Sequence, residues 1–165
     1  MATDVHVTGL AELNAFLQAL PAKVERNILR GAMRAGMNQV KPSAVAGVHS
    51  ISGLLAAGLK VGTRAKGGTV YATLKATGKH AYVARWVEYG TARHTITAKD
   101  RKGLSFSGVF FQSVQHPGAR PKPFLRPALD RNASAAVVAA AEYMKARLET
   151  KHGLDTAHIV IEGDE

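Results

Sequence analysis

The chain has 165 residues and a formal net charge of +10, from 22 Lys and Arg against 12 Asp and Glu. Hydrophobic residues make up 46%, too many for a disordered chain, and the length fits a single domain over residues 1–165 with a sizeable core. The absence of cysteine excludes disulfides, thiolate catalysis and Cys-based zinc sites.

The opening "MATDVHVTGL" has neither the basic start nor the apolar core of a signal peptide, and no apolar run reaches the roughly 18 residues that span a membrane. A soluble protein made in a cytoplasm, with no membrane partner, is expected. Residues 4–8 read as a short strand with Val5 and Val7 on one face, ended by Gly9. From Leu10 the apolar spacing becomes helical, through Leu13, Leu17, Leu20, Val24 and Ile28. Pro21 lies inside this run, so it either starts a second helix or kinks one long one. The helical pattern continues through Leu29, Met33, Met37 and Val40 to about Val45.

Gly53 and Gly58 punctuate the next stretch. Leu59, Val61 and Thr63 then alternate with Lys60 and Gly62, "AKGG" (65–68) is a turn, and residues 69–77 alternate again. This pattern predicts a β-hairpin. Residues 81–89 predict a short helix ended by Gly90. Residues 94–122 carry no helical period and are expected to be flexible or to order on assembly. Within them "KDRKG" (99–103) predicts an exposed loop, 104–114 a strand weakened by Gly108, and the proline-rich 116–123 an extended run. A long helix is predicted from Pro127 to about Lys151, with Gly153 ending it. Its alanine block, Ala133–Ala141, lets another backbone come close, either the chain's own sheet or a second subunit. Residues 157–163 read as a last strand or as a tail that orders on a partner. The sum is an α+β fold: a small antiparallel or mixed sheet packed against a long N-terminal helix and a long C-terminal helix.

Charge is unevenly placed. Asp155, Glu162, Asp164 and Glu165 lie in the acidic tail, 154–165, so residues 1–154 hold 22 bases against 8 acids. So basic a body attracts polyanions, either nucleic acid or an acidic protein surface, and the tail could dock on a neighbouring body. Lys23, Arg26, Arg30, Arg34 and Lys41 fall within one quarter of the first long helix's circumference. That stripe is either a solvated outer face or a surface toward DNA or an acidic partner. Lys99, Arg101 and Lys102 form a candidate subunit or partner loop.

No catalytic signature is complete. No two of the seven histidines have the i, i+4 spacing of metal ligands on one helix face. "GTRAKGGT" lacks the Gly-Lys-Ser/Thr ending of a phosphate loop, and "GLSFSG" is not a Gly-x-Ser-x-Gly elbow. Between residues 26 and 129 the only acids are Glu88 and Asp100, which leaves Glu88 without the second carboxylate of glycosidase-type chemistry. Neither catalytic residues nor a metal or cofactor is expected. Glu88, between Trp86 and Tyr89, instead reads as a partly buried carboxylate that must be paired.

Two stretches combine into a family signature: "ARWVEYGT" (84–91) and, after a basic, glycine-containing segment, "PFLRPAL" (123–129). With "VTGLAELNAFLQALPAKV" (7–24) and "SGLLAAGLKVG" (52–62), this order resembles the tail-component and neck proteins of long-tailed bacteriophages, typified by gene product ten of a lambdoid phage. The resemblance spans roughly residues 5–150, and residues 94–122 are its least family-like part. It implies a virion or assembly role without enzymatic activity, in a homo-oligomeric, hexameric ring at the head–tail junction or tail end. Neck, connector or tail proteins are the implied partners, with DNA as a candidate in the lumen. Trp86, Glu88, Tyr89, Gly90, Pro123, Phe124, Leu125, Arg126 and Pro127 are its motif residues. Trp86 and Tyr89 are expected to pack under the C-terminal helix, and Glu88 to pair with Arg126.

Overall fold

A computed structural model describes residues 6–7, 10–48, 53–79, 81–99, 103–153, 155–156 and 159–162. Strand β1 (His6–Val7) leads into helices α1 (Leu10–Ala19) and α2 (Ala22–Ala46). Pro21 starts a second helix instead of kinking one. Its backbone is extended (φ −54°, ψ 134°), and its carbonyl accepts the N–H groups of Val24 and Glu25 at 2.7 and 3.1 Å. Helix α2 is the spine of the molecule, about 37 Å long at 1.5 Å per residue. It buries Ile28, Ala32, Gly36, Val40 and Ala44, one residue in every four.

A short helix α3 (Leu54–Ala57) precedes the hairpin of β2 (Leu59–Lys66) and β3 (Thr69–Ala76), paired antiparallel from Leu59↔Ala76 to Lys66↔Thr69. The two turn residues, Gly67 and Gly68, both have positive φ, +57° and +79°. That is what a type I′ turn demands, and glycine supplies it without steric cost. Leu59, Leu74 and Ala76 join Val40 and Ala44 of α2 in one core. Helix α4 (Ala81–Tyr89) closes that core from the side.

The segment without helical period forms an arm of two hairpins. Strand β4 (His94–Thr97) pairs with β7 (Ser113–His116), and between them β5 (Leu104–Phe106) pairs with β6 (Val109–Phe111). The single strand expected over 104–114 is corrected: Ser107 (φ +48°) and Gly108 (φ +80°) reverse the chain in its middle. Among the described residues the strands of this α+β fold thus form four separate two-stranded ladders. Only β2–β3 makes an extensive packing surface with α2.

The long C-terminal helix is two helices. Helix α5 (Leu125–Arg131) starts before Pro127, and α6 (Ala133–His152) follows a break at Asn132 (φ −116°, ψ 15°). The Asn132 side-chain amide donates to the Ala128 carbonyl at 2.8 Å, and its main-chain N–H to Leu129 O at 3.1 Å, so each satisfies one carbonyl that the break would orphan. Gly153 ends α6 in the left-handed conformation, as expected. Within the chain, the backbone that the alanine block admits is not the sheet: it is α2, along which α6 packs. A Cβ on Gly36 would stand 2.5 Å from the Ala136 carbonyl oxygen, and one on Gly31 would collide with the Tyr143 ring.

The chain then returns to its beginning. Strand β8 (Ile161–Glu162) pairs antiparallel with β1, Val7 opposite Ile161. Ile159 is buried with Leu13, Leu17, Ile28 and Leu148 in a second core. The Lys145 ammonium donates to Ile159 O at 3.1 Å, and the buried Thr156 hydroxyl donates to the Glu149 carboxylate. Within the acidic tail, Ile161–Glu162 thus form a strand on their own body. Asp164 and Glu165 lie outside the described residues.

Gly36→Ala should lower stability by about 1–3 kcal/mol, because its methyl meets a main-chain carbonyl that moves only with α6. Urea unfolding measures this. An unchanged unfolding midpoint would show that the two helices can move apart at no cost.

Candidate functional site

The two family motifs meet. Helix α4 turns one face, Ala84 and Glu88, into the core, and Gly90 then takes φ +72°. A Cβ there would come within 2.5 Å of Ala119 O and 2.9 Å of Pro121 N. Gly90 thus ends the helix and also lets the returning proline-rich segment pass against it. Thr91 and Ala119 exchange main-chain hydrogen bonds at 2.9 and 3.1 Å, and Lys122 N donates to Val87 O at 2.7 Å. These contacts deliver the start of α5 to the end of α4.

Glu88 receives it. Its Oε2 accepts Phe124 N at 2.8 Å and Leu125 N at 2.9 Å, and its Oε1 accepts Arg126 N at 3.0 Å. A helix start exposes four N–H groups without intrahelical partners. In α5 those positions are Phe124, Leu125, Arg126 and Pro127. Three bond Glu88, and the fourth is a proline with no N–H to satisfy. No side chain of α5 caps its own N-terminus, so a carboxylate 36 residues earlier in the chain does so. It also sits at the positive end of the helix dipole.

The electrostatics follow from this geometry. Burial pushes the Glu88 pKa up, since the side chain is only 7% exposed. The three N–H bonds, from Leu125, Phe124 and Arg126, and then the Arg126 charge pull it down and prevail, so the carboxyl sits below its ordinary value. The expected pairing with Arg126 is corrected in kind. The residue is right but the bonding group is its main-chain N–H, and its guanidinium is the weakest influence acting on Glu88. Both carboxylate oxygens are occupied, so Glu88 holds structure.

The aromatics of the motif lie elsewhere than expected. Trp86 and Tyr89 are 51% and 77% exposed, on the outer face of α4 with Tyr82, which meets Trp86 edge-on at 4.8 Å. They do not pack under the C-terminal helix. Phe124, 2% exposed, supplies the aromatic bulk of the core in which Ala84 lies. Leu125 is half-buried against that core, while Pro123 is exposed. Beside Glu88 an open groove of about 710 Å³ runs between β3, α4 and α5, lined by Met37, Leu74, Ala84, Tyr89 and Leu129 among others.

The basic residues fall into two groups. Lys23, Arg26, Arg30 and Arg34 are exposed along α2 and Lys41 is half-buried; Arg30 reaches over β2 to the Thr63 carbonyl at 3.3 Å. Lys99 is exposed on the arm, whereas Arg101 and Lys102 lie outside the described residues. Sequence reading missed two features. His94 and His116 are opposite each other at the arm's base with ring centroids 5.0 Å apart, although 22 residues separate them in sequence. The arm also carries exposed Ile96, Val109, Phe110, Phe111 and Val114, with Ile96 directly opposite Val114. Among the described residues no group of three His, Asp or Glu side chains could hold a metal ion, and no helix is long and apolar enough to cross a membrane.

Residues 11–90, the stretch that ends at the Gly90 passage, match the family described as "Bacteriophage HK97-gp10, putative tail-component". The match covers just under half of the chain and makes that stretch similar to a bacteriophage tail component. It runs from α1 through α4 and stops at Gly90, so the Pro-Phe-Leu-Arg-Pro motif joins it through Glu88. No curated protein and no solved structure matches the chain.

Glu88→Ala strands the N–H groups at the α5 start and should cost about 3 kcal/mol, whereas Glu88→Gln, which keeps one good acceptor, should cost about 1–2 kcal/mol. Arg126→Ala keeps the bonding N–H, so its melting temperature should stay near that of the parent, and a double-mutant cycle with Glu88 should show almost no coupling. Strong coupling would return the bond to the guanidinium.

Acid titration gives a second check. A carboxyl held below its ordinary value stabilises the fold fully above that value, 4.5, and loses this contribution as pH falls through the lower, folded value. Stability measured downward from pH 5 should therefore fall less steeply in Glu88→Gln than in the parent chain. Equal slopes would contradict the cap.

Proposed function

We propose that this chain is a structural virion protein of a long-tailed bacteriophage, forming a ring at the head–tail junction or tail end and acting in head–tail joining. The ring is hexameric, like the tail it meets. The protein is made in the host cytoplasm and resides at the virion's neck or tail, in contact with connector or tail proteins. The family match supports the tail assignment. The arm supports the ring.

Phe110 is 67% exposed and Val109 54%, at the tip of a two-hairpin arm whose strands pack chiefly on each other. Such apolar tips are costly to leave in water and mark an interaction surface. The same chain carries an apolar groove between β3, α4 and α5. A tip on one face and a groove on another make a heterologous contact, and such contacts close into rings when the rotation permits. Residues 94–122 settle into their final arrangement on docking in this scheme. Tyr82 and Trp86, exposed on α4, extend the receiving side.

The test uses a phage with a nonsense mutation in this gene. Electron microscopy of its lysates should show full heads and tails unjoined; joined particles would remove the joining role. In parallel, light scattering should find the purified parent chain as a ring and the Phe110→Ser/Phe111→Ser variant as a monomer with unchanged melting temperature. A variant that still forms rings would remove the arm from the interface.

A further inference from the structure

The β2–β3 hairpin has one face on α2 and one in solvent. On the solvent face, Lys60, Gly62, Arg64 and Lys66 of β2 stand opposite Lys75, Thr73, Tyr71 and Thr69 of β3. All of these except Gly62 are exposed. Four bases therefore share one sheet face, and residues 59–76 contain no acid. Lys60 and Lys75 are directly opposed, a cross-strand placement that destabilises a hairpin unless something neutralises it. At the far end, Lys66 borders a hollow with Arg26 of α2; the half-buried Glu25 lines it too, so two exposed bases face one acid there. The basic stripe on α2 is thus the flank of a larger surface centred on the hairpin.

We propose that this hairpin face, Lys60, Arg64, Lys66 and Lys75, is a contact surface for the phosphate backbone of duplex DNA. Its composition separates DNA from an acidic protein as the occupant. Protein interfaces are depleted in lysine and centre on apolar or aromatic anchors in dry pockets. Here three of the four bases are lysines, and the face itself carries no buried apolar anchor; the apolar groove beside Glu88 reaches only its edge, at Thr73 and Lys75. Its one aromatic, Tyr71, lies under the Arg64 guanidinium at 5.4 Å, which holds that charge against the sheet. The hydroxyls of Thr69 and Thr73 lie on the same face and suit phosphate oxygens. Nothing on the face reads base edges, so the binding is independent of sequence and governed by counterion release. The inference rests on the hairpin alone and holds whether or not the chain forms a ring.

Anisotropy of a labelled random-sequence duplex, titrated with the full chain, tests it. Four phosphate contacts predict an affinity that falls roughly 100-fold between about 50 and about 200 mM salt. The variant Lys60→Ala/Arg64→Ala/Lys66→Ala/Lys75→Ala should lose most binding and flatten the log–log salt slope by about 3 to 4. Its melting temperature should hold or rise, because an opposed pair of like charges is gone. Replacing the three lysines by arginine should preserve binding. Should the quadruple variant fold poorly, Lys60→Ala/Lys75→Ala alone should reduce the slope by about 2. A parent chain that ignores DNA, or one that prefers poly-glutamate to DNA, overturns the proposal, as does an unchanged slope in the variants. Lys23→Ala/Arg34→Ala, on the flank, should leave the slope almost intact; a loss there as large as on the hairpin would also overturn it.

Discussion

One carboxylate organises the molecule. Glu88 lies at the end of a nine-residue helix and bonds the main chain of a helix start that comes 36 residues later. A buried charge is tolerated only where its hydrogen-bonding capacity is used, and a helix start is tolerated in a core only where its N–H groups are. Each solves the other's difficulty. The proline at the third position of α5 completes the arrangement by having nothing to satisfy. Around this pairing, Phe124 is set into the core beside Ala84 and Ala128, and the route from α4 to α5 is determined.

The second constraint is the closeness of α2 and α6. Small residues on α2 and the alanine-rich α6 let two backbones approach, so that α2 serves two cores at once: one with the hairpin and α4, the other with α1 and the returning tail. Dispersion between closely packed main chains replaces the bulky side chains that a wider spacing would need. Strand β8, paired with β1, runs beside α6, two residues beyond Ile159 of the second core.

Much of this was legible in sequence where a signal is local. The double glycine of the hairpin, the phase of α2, the start after Pro21 and the stops at Gly90 and Gly153 all have one-residue physical causes. The arm was hard to read because its strands are three or four residues long, shorter than the alternation needed to recognise them. The break at Asn132 hides in an alanine run whose periodicity is too weak to betray it. On α4 two faces share the helical spacing, one with Ala84 and Glu88 and one with Tyr82, Trp86 and Tyr89. Size favours the aromatics as core, but the bulk came from Phe124, which is distant in sequence. The need for a partner to Glu88 was readable. The partner's identity was not, because a main-chain N–H has no letter of its own.

The Thr91–Ala119 bridge has a consequence for how such a chain can change over generations. It pins both ends of the arm a hydrogen bond apart, directly beside the capped helix. Whatever is threaded between those two residues enters and leaves at one point. The entropic cost of a longer excursion grows only with the logarithm of its length, about 0.6 kcal/mol per doubling. The arm is therefore a cassette. Its length and sequence can drift to suit a new neighbour while the body, held by Glu88, goes on folding unchanged, and the family match ending at Gly90 falls at the seam.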